Sequence, residues 1–321
     1  MTIEDIKRKV LVTGGAGDVG SGLVRGLLRR GCRVKVLDVR YGPFEKEKNP
    51  NLELLGAGGD PGKGGMANED TVRQAMMDVD VVYHLAINWN GYTWKHSLPI
   101  ADLLDANVRG TLNLLREAKS QGVRHLLFAG SCAVYGRSRT KTATEETVCE
   151  PETWEGDPGP AYGIMKLATE RLCLMYCHQY GLPVTAFRIE FVYNDDDALS
   201  GSKIIENLRG KHTIDVVKGD GYPGIHIDEV VQAFLLATLN EKAYGQVFNL
   251  ANPSTYVTYE ELYQLLIRRT NSKSKVRVIT DPTYKGRVVE SAEKIMKVLG
   301  WRPTKTKKDF IRALIRSVES Q

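Results

Sequence analysis

Two motifs in this 321-residue chain hold residue types that can do chemistry together. Thr13-Gly14-Gly15-Ala16-Gly17-Asp18-Val19-Gly20 has G-x-x-G-x-x-G spacing, in which small residues let a backbone turn sharply, approach a pyrophosphate and pack the next helix closely. Tyr162-Gly163-Ile164-Met165-Lys166 sets a phenol and an ammonium four residues apart, on one face of a helix. A lysine charge there, with a positive nicotinamide ring nearby, predicts a phenol pKa drawn down from about 10, so that Tyr162 works as general acid or base. Ser131 can hold the same substrate oxygen in line for transfer. Glycine turns are common and Tyr-x-x-x-Lys pairs arise by chance on surface helices, but together the motifs point to hydride chemistry on an alcohol or ketone.

Positioning these groups requires alternating strands and helices. Lys9–Thr13 reads as a strand ending in the glycines, Leu23–Leu28 follows with helical spacing up to Gly31, and Arg33–Asp38 is a second strand. Further strands are predicted at Asp78–Ala86, His125–Gly130, Val184–Ile189 and Gln246–Leu250, with helices at Asn107–Ala118 and Tyr162–Tyr180. The pattern argues for an α/β fold, a Rossmann-type doubly wound parallel sheet with a smaller C-terminal substrate-binding part. Residues 1–193 and 224–252 are assigned to the dinucleotide-binding domain. Residues 194–223 and 253–321 form the smaller part, read as helical from Tyr256–Arg269 and Lys294–Val318.

Composition narrows the class. Hydrophobic residues make up 42% and charged residues 26%, and the charge of +5 comes from 44 basic against 39 acidic side chains mixed along the chain. The basic run Arg302–Lys308 lacks interleaved aromatics, so no nucleic-acid partner is expected. No membrane span or export signal is read, and the five cysteines are expected as free thiols, which gives a cytoplasmic expectation. No metal is expected either: three adjacent carboxylates, Asp195–Asp197, rarely converge on one ion, and Cys173, Cys177 and His178 have no further ligand pair at zinc spacing. Asp38, at the end of the second strand, can accept from both ribose hydroxyls and would repel a 2′-phosphate, which favours NAD as cofactor over NADP.

The whole set resembles the extended short-chain dehydrogenase/reductases, especially the NAD-dependent epimerase/dehydratase branch typified by UDP-glucose 4-epimerase. The matching residues are Thr13–Gly20, Gly59-Asp60, His84-Leu85-Ala86, Asn107–Thr111, Ser131–Gly136, Tyr162–Glu170, His226–Val230 and Leu299–Pro303, which span nearly the whole chain. The resemblance implies a catalytic trio of Ser131, Tyr162 and Lys166. It implies cofactor contacts from Gly14, Gly17, Asp18, Val19, Gly20, Asp38, Asp60, Ala86, Asn107, Tyr162 and Lys166, with Lys166 reaching the nicotinamide ribose. Asn107 braces the helix beside the site or caps that helix. A homodimer built from Leu103–Ala118 and Met165–Tyr180 is also implied.

Three departures bear on the substrate. Dehydratases of the family carry Asp-Glu directly after the hydroxyl residue, and here the pair is Cys132-Ala133. The strand end Arg-x-x-Asn reads Arg188-Ile189-Glu190-Phe191, so an aromatic replaces a substrate-touching amide. The segment that normally carries a diphosphate-binding arginine is shortened to Gly219–His226, leaving Arg287 as a possible substitute. In the loop Asn88–His96, Trp89 and Asn90 suit stacking on and bonding to a polyol, and a packed lid or dimer surface fits that loop equally well. The substrate is read as a small sugar-like molecule, touched by Trp89, Asn90, Ser131 and Phe191. Two reactions stay open: epimerisation of a sugar or sugar-nucleotide, or net oxidation of a free sugar, sugar acid or other small hydroxy compound.

Overall fold

The structure is a computed structural model that describes residues 9–56, 65–88, 100–137, 142–154, 159–196, 203–210, 212–282 and 288–319. Seven parallel strands form its central sheet: β1 (Lys9–Thr13), β2 (Arg33–Leu37), β3 (Leu52–Leu55), β4 (Val79–His84), β5 (His125–Ser131), β6 (Val184–Ile189) and β7 (Gln246–Leu250), in the order 7-6-5-4-1-2-3. Successive side chains along a strand point to opposite faces, so these apolar runs feed two cores. Val10, Val12, Tyr83, Leu127 and Phe187 pack on one face under α1 (Asp18–Leu28) and α6 (Ile227–Ala237). Leu11, Val82, Leu126, Phe128 and Ala186 pack on the other under α2 (Glu69–Met76), α3 (Gly110–Ser120) and α4 (Pro160–Tyr180).

Strand order reverses between β1 and β4, which opens a crevice at their C-terminal ends where ligands bind in such sheets. The sequence strands match those observed to within about two residues. The helix expected at Asn107–Ala118 differs: Leu104–Arg109 is π-helical, and the regular helix begins only at Gly110. There Thr111 Oγ1 donates to the Asn107 carbonyl at 2.6 Å, a side-chain bond to the backbone inside the widened turn.

The smaller part holds α5 (Lys203–Gly210), α7 (Tyr259–Thr270) and α9 (Lys307–Glu319), with a core that includes Leu208, Leu262, Leu266, Phe310 and Leu314. It is not wholly helical as expected. Thr213–Val217 and Lys275–Ile279 pair in parallel beside those helices. The stretch expected as one late element, Lys294–Val318, is two helices, because α8 (Glu293–Leu299) stops at Gly300 in the left-handed region. Ala292, Ile295, Leu299 and Trp301 pack in the core of the central sheet, so that stretch of the 253–321 assignment belongs with the sheet.

Candidate active site

Every described site residue but one, Asn107, lies at the C-terminal ends of β1, β2, β4, β5 and β6 or at the start of α1 and α4. Gly14 has φ +67°, and a Cβ there would come within 2.7 Å of the Ala86 backbone, so the glycine lets the loop after β1 touch the loop after β4. Gly17 is the N-cap of α1 and offers no side-chain cap, which leaves the backbone N–H groups of Asp18, Val19 and Gly20 at a positive helix end. Asp38 closes the cradle: Oδ2 accepts from Ala16 N at 3.0 Å and Oδ1 from Arg40 N at 3.2 Å. Ala86 N donates to Thr13 Oγ1 at 3.2 Å. These residues fit a dinucleotide, since a bare helix N-terminus, a strand-end carboxylate and a floor too tight for a Cβ converge on one crevice.

The second half of the site is set by α4. A Cβ at Gly163 would come within 2.7 Å of the Ala133 carbonyl oxygen and 2.8 Å of Pro151 Cβ, so only glycine lets the helix press on the turn after β5. That approach joins Tyr162 and Ser131 by a side-chain hydrogen bond. Ser131 Oγ also accepts from Ala133 N at 3.2 Å, which fixes its rotamer. Lys166 is buried, donates to the Ala129 carbonyl at 2.7 Å, and lies 5.8 Å from the centre of the Tyr162 ring.

Electrostatics within the chain oppose the sequence expectation for the phenol. Burial pushes Tyr162 up to about 12, and the Ser131 hydrogen bond only partly offsets it. Burial lowers Lys166 to about 7. The lysine bonds a carbonyl and sits against ring faces, so it does not draw the phenol pKa down by itself.

A family model for the NAD dependent epimerase/dehydratase family matches residues 10–251. The chain belongs to that family. Among curated relatives, an uncharacterized protein of Sinorhizobium fredii is 28% identical over 280 residues, covering 85% of this chain and 63% of the relative. UDP-glucuronic acid decarboxylase 1 of Arabidopsis thaliana is 30% identical over 270 residues, covering 78% and 56%. The chain therefore spans about three-fifths of the length of these two relatives. Among solved structures, a UDP-galactose 4-epimerase aligns with TM-score 0.73 at 25% identity, covering 97% of this chain and 99% of that one.

Within this epimerase/dehydratase frame, the structure brings together Gly14, Gly17, Asp18, Val19, Gly20, Asp38, Ala86, Ser131, Tyr162 and Lys166. Asp60, Trp89, Asn90 and Arg287 lie outside the described residues. Asn107 is not a helix cap. Its Oδ1 accepts from Asn88 N at 2.7 Å, so it braces the loop after β4 from within the π-helical turn. Phe191 is 38% exposed and packs edge-on against Tyr222, at 5.2 Å between ring centres. Tyr222 is itself buried, and a Cβ at Gly224 would meet the Phe310 ring at 2.6 Å. The shortened segment is thus pressed into the aromatic core of the smaller part.

Sequence reading missed one convergence. Cys132, Glu190 and Glu290 are all buried and bring one ligand-type atom each within 4.8 Å of one another, directly after Ser131. They come from the turn after β5, the residue after β6 and a late segment in which Val289–Glu290 pairs with Thr142–Ala143, so no local spacing marks them. Cys132 donates its thiol proton to the Arg188 carbonyl at 3.2 Å. All five cysteines are free thiols, as expected.

Proposed function

We propose that the protein is an NAD-dependent epimerase that oxidises and re-reduces a secondary alcohol of a sugar or sugar-nucleotide. What supports this reading is the Ser131–Tyr162 hydrogen bond with Lys166 5.8 Å from the Tyr162 ring, at the same end of the sheet as the glycine turn. Ser131 holds the carbinol oxygen, and Tyr162 takes its proton as the adjacent C–H bond gives up hydride. Bound in the cradle, oxidised NAD supplies the hydride acceptor and a positive ring that lowers the Tyr162 pKa against the effect of burial. Lys166 holds the floor beneath the phenol through Ala129. Re-reduction from the opposite face returns the Tyr162 proton and inverts the carbon with no net redox change.

Cys132-Ala133 in place of a carboxylate pair supports epimerisation over dehydration. A second reading, net oxidation of a free sugar or small hydroxy compound, draws support from Phe191 and the compressed Gly221–His226 segment, which offer no amide or cation to a diphosphate. A homodimer is proposed across Leu104, Ile164 and Tyr180, exposed apolar residues on the π-helical turn and α4. No helix among the described residues is long and apolar enough to cross a membrane, and a cytoplasmic location is part of the same proposal.

Incubation with UDP-glucose, followed by chromatography and nicotinamide absorbance, tests the assignment. Formation of the C4 epimer without net absorbance change is expected. Accumulating NADH from a free sugar, with no calorimetric binding of UDP, would move the assignment to the dehydrogenase.

A further inference from the structure

His84, on β4, is a buried histidine that the chemistry above does not use. It stands in register between Thr13 of β1 and Phe128 of β5, in one row across three strands. Nδ1 lies 2.8 Å from Thr13 Oγ1, and Nε2 lies 2.8 Å from Thr111 Oγ1 of α3. Both contacts are buried, so the protons can be assigned by elimination.

Thr111 has a single hydroxyl proton, and it goes to the Asn107 carbonyl at 2.6 Å, which can only accept. Thr111 Oγ1 is therefore an acceptor toward His84, and His84 Nε2 carries the ring proton. In a neutral ring Nδ1 is then bare and accepts the Thr13 hydroxyl proton. Thr13 Oγ1 in turn accepts from Ala86 N. The result is one oriented chain, from Ala86 N–H through Thr13, His84 and Thr111 to the Asn107 carbonyl. Burial, with the Lys166 charge nearby, lowers the ring to about 3 and keeps it neutral.

This chain ties both sides of the cofactor crevice to the π-helical turn. At one end Thr13 leads into Gly14, whose backbone abuts Ala86. At the other Asn107 holds Asn88.

We propose that His84 is a positioning residue, locked as the Nε2–H tautomer, that sets the spacing between the glycine cradle and the 85–88 loop and so the fit of the dinucleotide. The proposal rests on reading this crevice as the NAD site. Its hydrogen-bond pattern can be tested apart from that reading.

Histidine-labelled protein gives a direct test by long-range 1H–15N NMR, with His84→Gln identifying the signal among six histidines. A protonated Nε2 and bare Nδ1, unchanged from about pH 5 to about pH 9, is expected. A protonated Nδ1, or titration within that range, would overturn the proposal. Calorimetry with NAD supplies the second readout. His84→Phe, which removes donor and acceptor, should weaken NAD by about tenfold or more, whereas His84→Gln keeps an acceptor and a donor on one planar group and should stay within about threefold. Equal losses in both variants would mean that His84 only fills space. Should His84→Phe not fold, Thr111→Val against Thr111→Ser makes the same comparison. Wild-type protein with no affinity for NAD would instead overturn the cofactor reading, and the tautomer would still decide the hydrogen-bond chain.

Discussion

Arg188 and Glu170 meet in a two-pronged pair, Nε to Oε2 at 2.9 Å and Nη2 to Oε1 at 2.8 Å, with both side chains almost fully buried. Glu170 lies one helical turn past Lys166 on α4, and Arg188 lies on β6, so the pair fastens α4 to the sheet. Arg188 also donates to the Tyr135 hydroxyl at 2.9 Å and the Glu145 carbonyl at 3.2 Å, which gathers the chain after β5 around the same cation.

Glu170→Gln should therefore cost about 3–5 kcal/mol, because it leaves a guanidinium buried without its counter-charge. Urea denaturation of variant and wild type measures this. A loss below about 1 kcal/mol would mean the network relaxes around the amide.

Tyr162→Phe removes the proton-transfer group and leaves the glycine cradle intact. Turnover should fall about 100-fold or more while NAD affinity stays within about twofold. Steady-state kinetics with calorimetric titration decide it, and near-normal turnover would remove Tyr162 from the chemistry.

Lys166 links the site to pH-dependent stability. Its folded pKa of about 7 lies below the ordinary 10.5, so between those values the unfolded chain binds more protons and stability rises with pH. Below about pH 7 the whole desolvation penalty, about 5 kcal/mol, is present, and it fades toward pH 10.5. Lys166→Met carries no such penalty, so wild type should gain on it between about pH 7 and about pH 9. A constant stability difference over that range would show that the buried amine keeps its proton.

Asp38→Ala removes a carboxylate already oriented by Ala16 N and Arg40 N. NAD binding should weaken and its advantage over NADP narrow by about tenfold, as both ribose contacts and the repulsion of a 2′-phosphate are lost. Parallel titrations with the two cofactors test it. An unchanged ratio would place the discrimination elsewhere.

Six strands of the central sheet were legible because they are short apolar runs bounded by glycine and polar residues, whereas β3, only Leu52–Leu55 and half-buried, was not, and Gly14 and Gly163 mark places where only the absence of a side chain allows contact. The proximity of Ser131, Tyr162 and Lys166 was legible from type and spacing. The direction of the Tyr162 pKa was not, since desolvation depends on packing from α4 and the 132–135 turn, which no local pattern reports. The π-helical turn at Leu104–Arg109 escaped because its residues keep ordinary helical character. Glu190, Glu290 and the row Thr13–His84–Phe128 were hidden for a topological reason: each set is assembled from separate strands.

The return of residues 292–305 to the central sheet bears on how the protein is made. Trp301 is fully buried and donates Nε1 to the Glu229 carbonyl at 3.0 Å, while Glu229 Oε1 accepts from Thr304 N at 2.6 Å and Lys305 N at 2.8 Å. One face of the sheet thus lacks part of its cover until residues past 300 have left the ribosome. A nascent chain that already holds the glycine loop, Ser131, Tyr162 and Lys166 still presents Phe234 and Phe248 incompletely covered, so the layer that carries these residues matures only after residues past 300 have emerged.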